Sequence, residues 1–203
     1  MKKIYLSLLA IFAIGTISAQ RIATKGETLN YDFKFSNTRV QDTSYYSQFL
    51  TGAWVSTLYT NQGGGYVFGS NSWEDLQKVQ GVMAGDALHP GVDHKVEGVG
   101  FLTKKTGTGG PNSKVLFKIY DFGPDGYPKN VLAQEEVTFM NIMDDDITWV
   151  TFANPVQFAA NQSYGVGIDM SSIGAGNHIG IYSGTDGQYT TPEIIFEQWD
   201  DLD

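Results

Sequence analysis

KVLFKIYD (114–121) is the segment on which the fold turns: Val115, Phe117 and Ile119 alternate onto one face, the period of a half-buried β-strand. Similar short runs lie on both sides of it. VEGVGFLT (96–103) precedes it across a Gly-rich turn, Thr106 to Asn112, and a loop from Phe122 to Asn130 leads into VLAQEEVTF (131–139). ITWVTF (147–152) sets Ile147 and Trp149 against Val150 and Phe152, and SYGVGID (163–169) alternates Tyr164, Val166 and Ile168. HIGIYS (178–183) and EIIFEQW (193–199) complete the series. Strands roughly every 15 residues, with turn residues and no helical crossovers between them, predict an all-β antiparallel β-sandwich of jelly-roll type. Before Val96 the pattern is thinner. LNYDFKF (29–35) alternates, QFLTGAWVSTLY (48–59) reads as a strand with a glycine kink, and SWEDLQKVQ (72–80) suggests a short helix capped by Ser72.

The first 19 residues read as a signal peptide. Lys2 and Lys3 precede an apolar run from Ile4 to Ile14, and Gly15-Thr16-Ile17-Ser18-Ala19 offers small residues for cleavage before Gln20. A run of about 11 apolar residues is short for a membrane-spanning helix, which needs roughly 20. Export across the inner membrane to a secreted or cell-surface location is therefore expected, with no membrane insertion after cleavage. No internal repeat or long linker divides the rest. We read 20–61 as an N-terminal extension contributing edge strands and 62–203 as the sandwich domain.

The chain carries 13 basic and 22 acidic residues, a net charge of −9, and two of the basic residues leave with the signal peptide. Such a surface repels phosphate backbones and anionic lipid, so nucleic acid is not an expected partner. Neutral glycans, extracellular or basic proteins and divalent cations remain open. There are no cysteines, which removes disulfides, thiolate metal sites and cysteine nucleophiles together.

No cofactor or catalytic motif is present: no H-E-x-x-H, G-x-S-x-G or P-loop, and no G-x-G-x-x-G between a strand and a helix. His89 and His94 flank Pro90-Gly91 and read as solvated loop residues, and His178 opens a strand. Asp144, Asp145 and Asp146 form a weak calcium candidate, weighed against a solvated turn. Asp121 to Gly126 opens like an EF-hand loop, but Gly123 and Leu132 stand at ligand positions, so turn geometry is the better reading. Glu97, Glu135, Glu136, Asp169 and Glu197 lie on or near strands, where two could meet as a hydrolase pair, though nothing selects which. Aromatic residues are the remaining lead. Trp54, Trp73, Trp149 and Trp199, with Tyr66, Tyr127, Tyr182 and Tyr189, are enough to line a sugar-stacking surface. Trp149 sits in an apolar strand and is assigned to the core; Trp73 and Tyr127 lie in polar loops and are the ligand-binding candidates.

From 63 to 200, the order of motifs resembles a module of Bacteroidetes proteins exported by the type IX secretion system. Its carriers are Gly65-Tyr66 with Gly69 and Asn71, then Gly126-Tyr127-Pro128 with Leu132-Ala133. Phe152 with Pro155-Val156, and Val166-Gly167-Ile168, follow in the same order. The resemblance implies a secreted β-sandwich of unassigned function, often joined to other domains. It also implies a further strand and a sorting domain after the Glu197-Gln198-Trp199 segment, so the chain is expected to be part of a longer module. Three functions follow as expectations: a non-catalytic binding, adhesion or accessory module; a carbohydrate-binding module of a longer secreted hydrolase; or a small hydrolase with an unrecognised carboxylate pair.

Overall fold

The computed structural model describes residues 23–32, 53–61, 66–70, 79–84, 91–184 and 195–198. Eleven strands occur among them: β1 Ala23–Asp32, β2 Ala53–Asn61, β3 Val79–Ala84, β4 His94–Thr106, β5 Lys114–Phe122 and β6 Pro128–Thr138. β7 Asp146–Phe158, β8 Tyr164–Asp169, β9 His178–Ile181, β10 Ser183–Gly184 and β11 Ile195–Gln198 follow. Every strand pairing is antiparallel.

One layer has the order β11-β3-β8-β5-β6. The other is assembled from β7-β4-β9 and β1-β2-β10. Only Tyr182 separates β9 from β10, and its N–H donates to Leu102 O at 3.0 Å, so residues 178–184 run between β4 on one side and β2 on the other. Between β2 and β10 the pairing is nested: β2 with β10, β3 with β8, β4 with β7, and β5 with β6. A long antiparallel ribbon rolled up on itself in this way is a jelly roll, and the fold is an all-β antiparallel β-sandwich. β1 lies outside β2 at the layer's edge; β2 is flanked on both sides and is the first strand of the roll.

The core forms where the layers face each other. Val115, Phe117 and Ile119 of β5 are fully buried against Val99 and Phe101 of β4 and Val150 and Phe152 of β7. The Phe101 and Phe117 rings sit 5.8 Å apart. Burying each such side chain contributes roughly 1.5–3 kcal/mol, and without disulfides this apolar core carries the stability.

Three expectations need correction. The helix over Ser72–Gln80 fails at its end, because Val79 and Gln80 open β3; residues 72–78 lie outside the described set. Pairing with β8 on one side and β11 on the other outweighs a weak helical pattern. The loop after β5 is shorter than expected, since β6 begins at Pro128 and a tight turn at Gly123–Tyr127 closes the hairpin. There Gly126 has φ +81° and its N–H bonds Gly123 O. Finally, His94 is not a solvated loop residue. Its ring stacks at 5.7 Å on Phe158 and lies 5.5 Å from Tyr164, closing one end of the core. His89 lies outside the described residues.

Candidate binding face

The outer face of the β4–β7 layer carries the most distinctive surface. Along β7 the alternation sends Thr148, Val150 and Phe152 inward and Ile147, Trp149 and Thr151 outward. Trp149 is therefore 54% exposed, not a core residue. The apolar character of the strand comes from its inward positions, and the indole stands one residue out of phase with them.

Gly100 lies directly across from Trp149 on β4. A Cβ there would come within 2.7 Å of Trp149 Cε3 and 2.8 Å of Cζ3, so only glycine lets the six-membered ring rest on the strand. The ring thus lies against the β4 backbone. Gly98, two residues back, keeps a side chain off the adjoining β4 position as well.

Further along the same face the surface closes. Leu58, Tyr66, Leu102 and Tyr182 form a second buried cluster, with Ile147 and Leu29 packed against it. Gly180 is its floor, because a Cβ there would meet Leu58 Cδ1 and Tyr66 Cγ, each at 2.7 Å. Charged groups rim the cluster. Lys104 Nζ donates to Asp145 Oδ2 at 2.8 Å and lies 3.3 Å from Glu27 Oε2 and 3.8 Å from Asp144 Oδ1. Tyr182 OH donates to Asp145 Oδ1 at 2.6 Å. The hydrogen bond to Asp145 raises the Lys104 ammonium further above its ordinary value, against the opposing effect of burial. Burial works against the charge on Asp145, but the Lys104 and Tyr182 hydrogen bonds outweigh it and hold the carboxyl below the usual range. Burial, reinforced by the bond to Asp145, pushes the Tyr182 phenol up.

The aspartate run is thus built into the turn before β7. Asp145 has φ +57° and donates its N–H to Thr103 O, Asp144 Oδ1 accepts the Lys105 N–H at 3.0 Å, and Asp146 Oδ1 accepts the Ile147 N–H. Among the described residues no group of three or more His, Cys, Asp or Glu side chains is placed to hold a metal ion. Tyr127 is 67% exposed at the tip of the β5–β6 hairpin, in the opposite layer from Trp149. Trp73 lies outside the described residues.

Four of the five candidate carboxylates are engaged locally; the side chain of the fifth, Glu197, lies outside the description. Glu97 pairs with Lys95, Glu136 with Lys114, and Asp169 with Lys118 and Ser171. Glu135 Oε1 accepts the Ala153 N–H at 2.6 Å, bridging the β6 and β7 edges beside a shallow hollow lined by Val131, Leu132 and Asn154. Among the described residues, the one serine–histidine contact, Ser70 Oγ to His178 Nδ1 at 3.3 Å, involves a fully buried serine whose Oγ already accepts the Ile179 N–H. Substrate has no access to it.

Sequence reasoning passed over Trp149, although a signal was present. In VEGVGF the glycines Gly98 and Gly100 bracket Val99, so one face of β4 lacks side chains where the β7 indole comes to rest. Comparison with family models, curated proteins and solved structures gives no match.

Proposed function

We propose that this chain is a non-catalytic binding module, exported by its signal peptide and working in a secreted or cell-surface protein. The observation that carries the reading is Trp149, a large indole held on a rigid strand and left more than half exposed. Keeping so much apolar surface in water gains nothing for the fold, whereas an aromatic anchor on a preorganised element suits recognition. The engaged state of the described carboxylates and the burial of Ser70 add support, since neither arrangement offers a poised nucleophile or an acid–base pair. The motif order resembling type IX cargo modules fits an accessory or adhesion role beside other domains.

Arrays of glycans and extracellular proteins, probed with this protein, test the reading alongside turnover assays on polysaccharides and peptides. Retention on one ligand class without turnover is expected. Hydrolysis that survives Trp149→Ala, or no retention on any ligand, would overturn it.

A further inference from the structure

We infer that the outer edge of β6 is a docking site for an extended, positively charged segment of another polypeptide, which adds to the five-stranded layer as a further strand. This goes beyond the Trp149 reading: it concerns a different surface, in the opposite layer, and needs no contribution from the indole. β6 closes the order β11-β3-β8-β5-β6, so β5 is its one strand neighbour among the described residues. The ladder between them fixes which backbone groups are engaged. Phe139 N–H donates to Ser113 O at 2.9 Å, directly beyond the Lys114–Thr138 pair, and bonded pairs recur at every second residue of an antiparallel ladder. Ala133, Glu135 and Val137 therefore bond β5, whereas the N–H and C=O groups of Gln134 and Glu136 point away from it. An edge of this kind offers its main-chain groups to an added strand. Pro128, the one proline of β6, stands at its first residue and leaves these groups intact.

Beside the edge there is room for side chains as well. Val131 and Leu132, at the register shift in the β5–β6 ladder, are 44% and 40% exposed. With Ala133, Gln134, Glu135 and Asn154 they line a hollow of about 410 Å³ that can take an apolar side chain of the added strand. Glu135 Oε1 accepts the Ala153 N–H at 2.6 Å and ties β6 to β7, so the hollow is present before anything binds. Charge decides the partner. Glu136 is about half exposed, and its bond to Lys114 is a surface pair of the kind that contributes little, so a cation on the added strand can share the carboxylate. The net charge of −9 draws a cationic segment in and repels a second copy of the chain. Pairing two β6 edges would also bring Glu135 and Glu136 against their counterparts, and like charges facing each other across strands are destabilising.

Calorimetric titration and amide hydrogen exchange test this on the native protein with two synthetic peptides of about seven residues, one alternating valine with lysine and the other valine with glutamate. The lysine peptide should bind about tenfold or more tightly than the glutamate peptide, by a margin that shrinks as salt is raised. It should also slow exchange at the Gln134 and Glu136 amides, which exchange readily in the unbound protein while those of Glu135 and Val137 do not. Gln134→Pro removes one edge N–H without taking a bond from β5, so it should weaken the lysine peptide about tenfold at a melting temperature close to the native one. The exchange result decides the matter even if that variant fails to fold. Binding without protection at Gln134 and Glu136 would overturn the site, and equal binding of the two peptides would overturn the partner's chemistry. Protection of the same amides by raising the protein concentration alone would make a second copy the occupant. Binding of neither peptide would overturn the inference and leave the Trp149 reading, tested by the ligand arrays, as it stands.

Discussion

Replacing Asp145 separates three contributions that meet in one residue: an ion pair, a hydrogen bond from a buried phenol, and a left-handed backbone. Alanine removes both side-chain bonds, leaving Lys104 without its nearest anion and the Tyr182 hydroxyl without an acceptor. Hydrogen bonds to charged groups are worth about 1.5–3 kcal/mol. Asp145 keeps 39% of its side chain in water, which discounts the two bonds to about 2 kcal/mol together. At φ +57° alanine also adds about 1 kcal/mol of strain that Asp and Asn largely avoid. The expected loss for Asp145→Ala is therefore about 3 kcal/mol. Asp145→Asn keeps the backbone preference and an oxygen for Tyr182, and should lose only about 1 kcal/mol. At this chain length 1 kcal/mol moves the melting temperature by roughly 2–4 °C, so calorimetry should find a fall near 6–12 °C for alanine and 2–4 °C for asparagine. Equal losses in the two variants, or a smaller loss for alanine, would refute the assignment of backbone strain and paired bonds to this residue.

The same cluster sets the pH response. The Asp145 carboxyl is held below its ordinary 3.8, so its stabilisation is complete above that value and is lost as the pH falls through the folded value; Asp145→Asn should flatten the acid limb of a stability–pH curve. Lys104 and Tyr182 are both raised, so their contribution is complete below their ordinary values and declines on alkalinisation past about pH 10, where Tyr182→Phe should remove part of the slope. In urea titrations, Phe117→Ala should cost about 3–5 kcal/mol, since it empties a fully buried ring site between the layers; a loss below 1 kcal/mol would contradict its place there. Gly69→Ala should cost about 2–4 kcal/mol, because φ is +128° and a Cβ would strike the Ile179 backbone. Gly126→Ala, with open space around it, should lose only about 1 kcal/mol.

β5 and β8 were legible because their apolar alternation is local and their core faces are unambiguous. The roll's wiring was not, since β2 meets β10 across more than half of the chain and β3 meets β8 across about two-fifths of it, and a strand carries no local mark of its partner. VQGVMA was hidden for the same reason: its strand character depends on neighbours supplied by β8 and β11. At Trp149 the alternation was visible, but strand-level hydrophobicity assigned the indole to the inside. Only the glycine opposite it, a tertiary partner, reveals that the ring lies on the outer face. His94 shows the converse, a polar ring drawn into an aromatic stack by Phe158 and Tyr164, neither of them near it in sequence.

A variant retaining Trp149 as its single tryptophan, with Trp54, Trp73 and Trp199 replaced by phenylalanine, gives the most direct measurement of the binding face. Its fluorescence should be quenched by acrylamide in the unbound protein, as a residue 54% exposed requires, and a ligand that the protein retains should shield it. An indole already shielded without ligand, or one quenched equally with and without the retained ligand, would contradict a role for this face in binding.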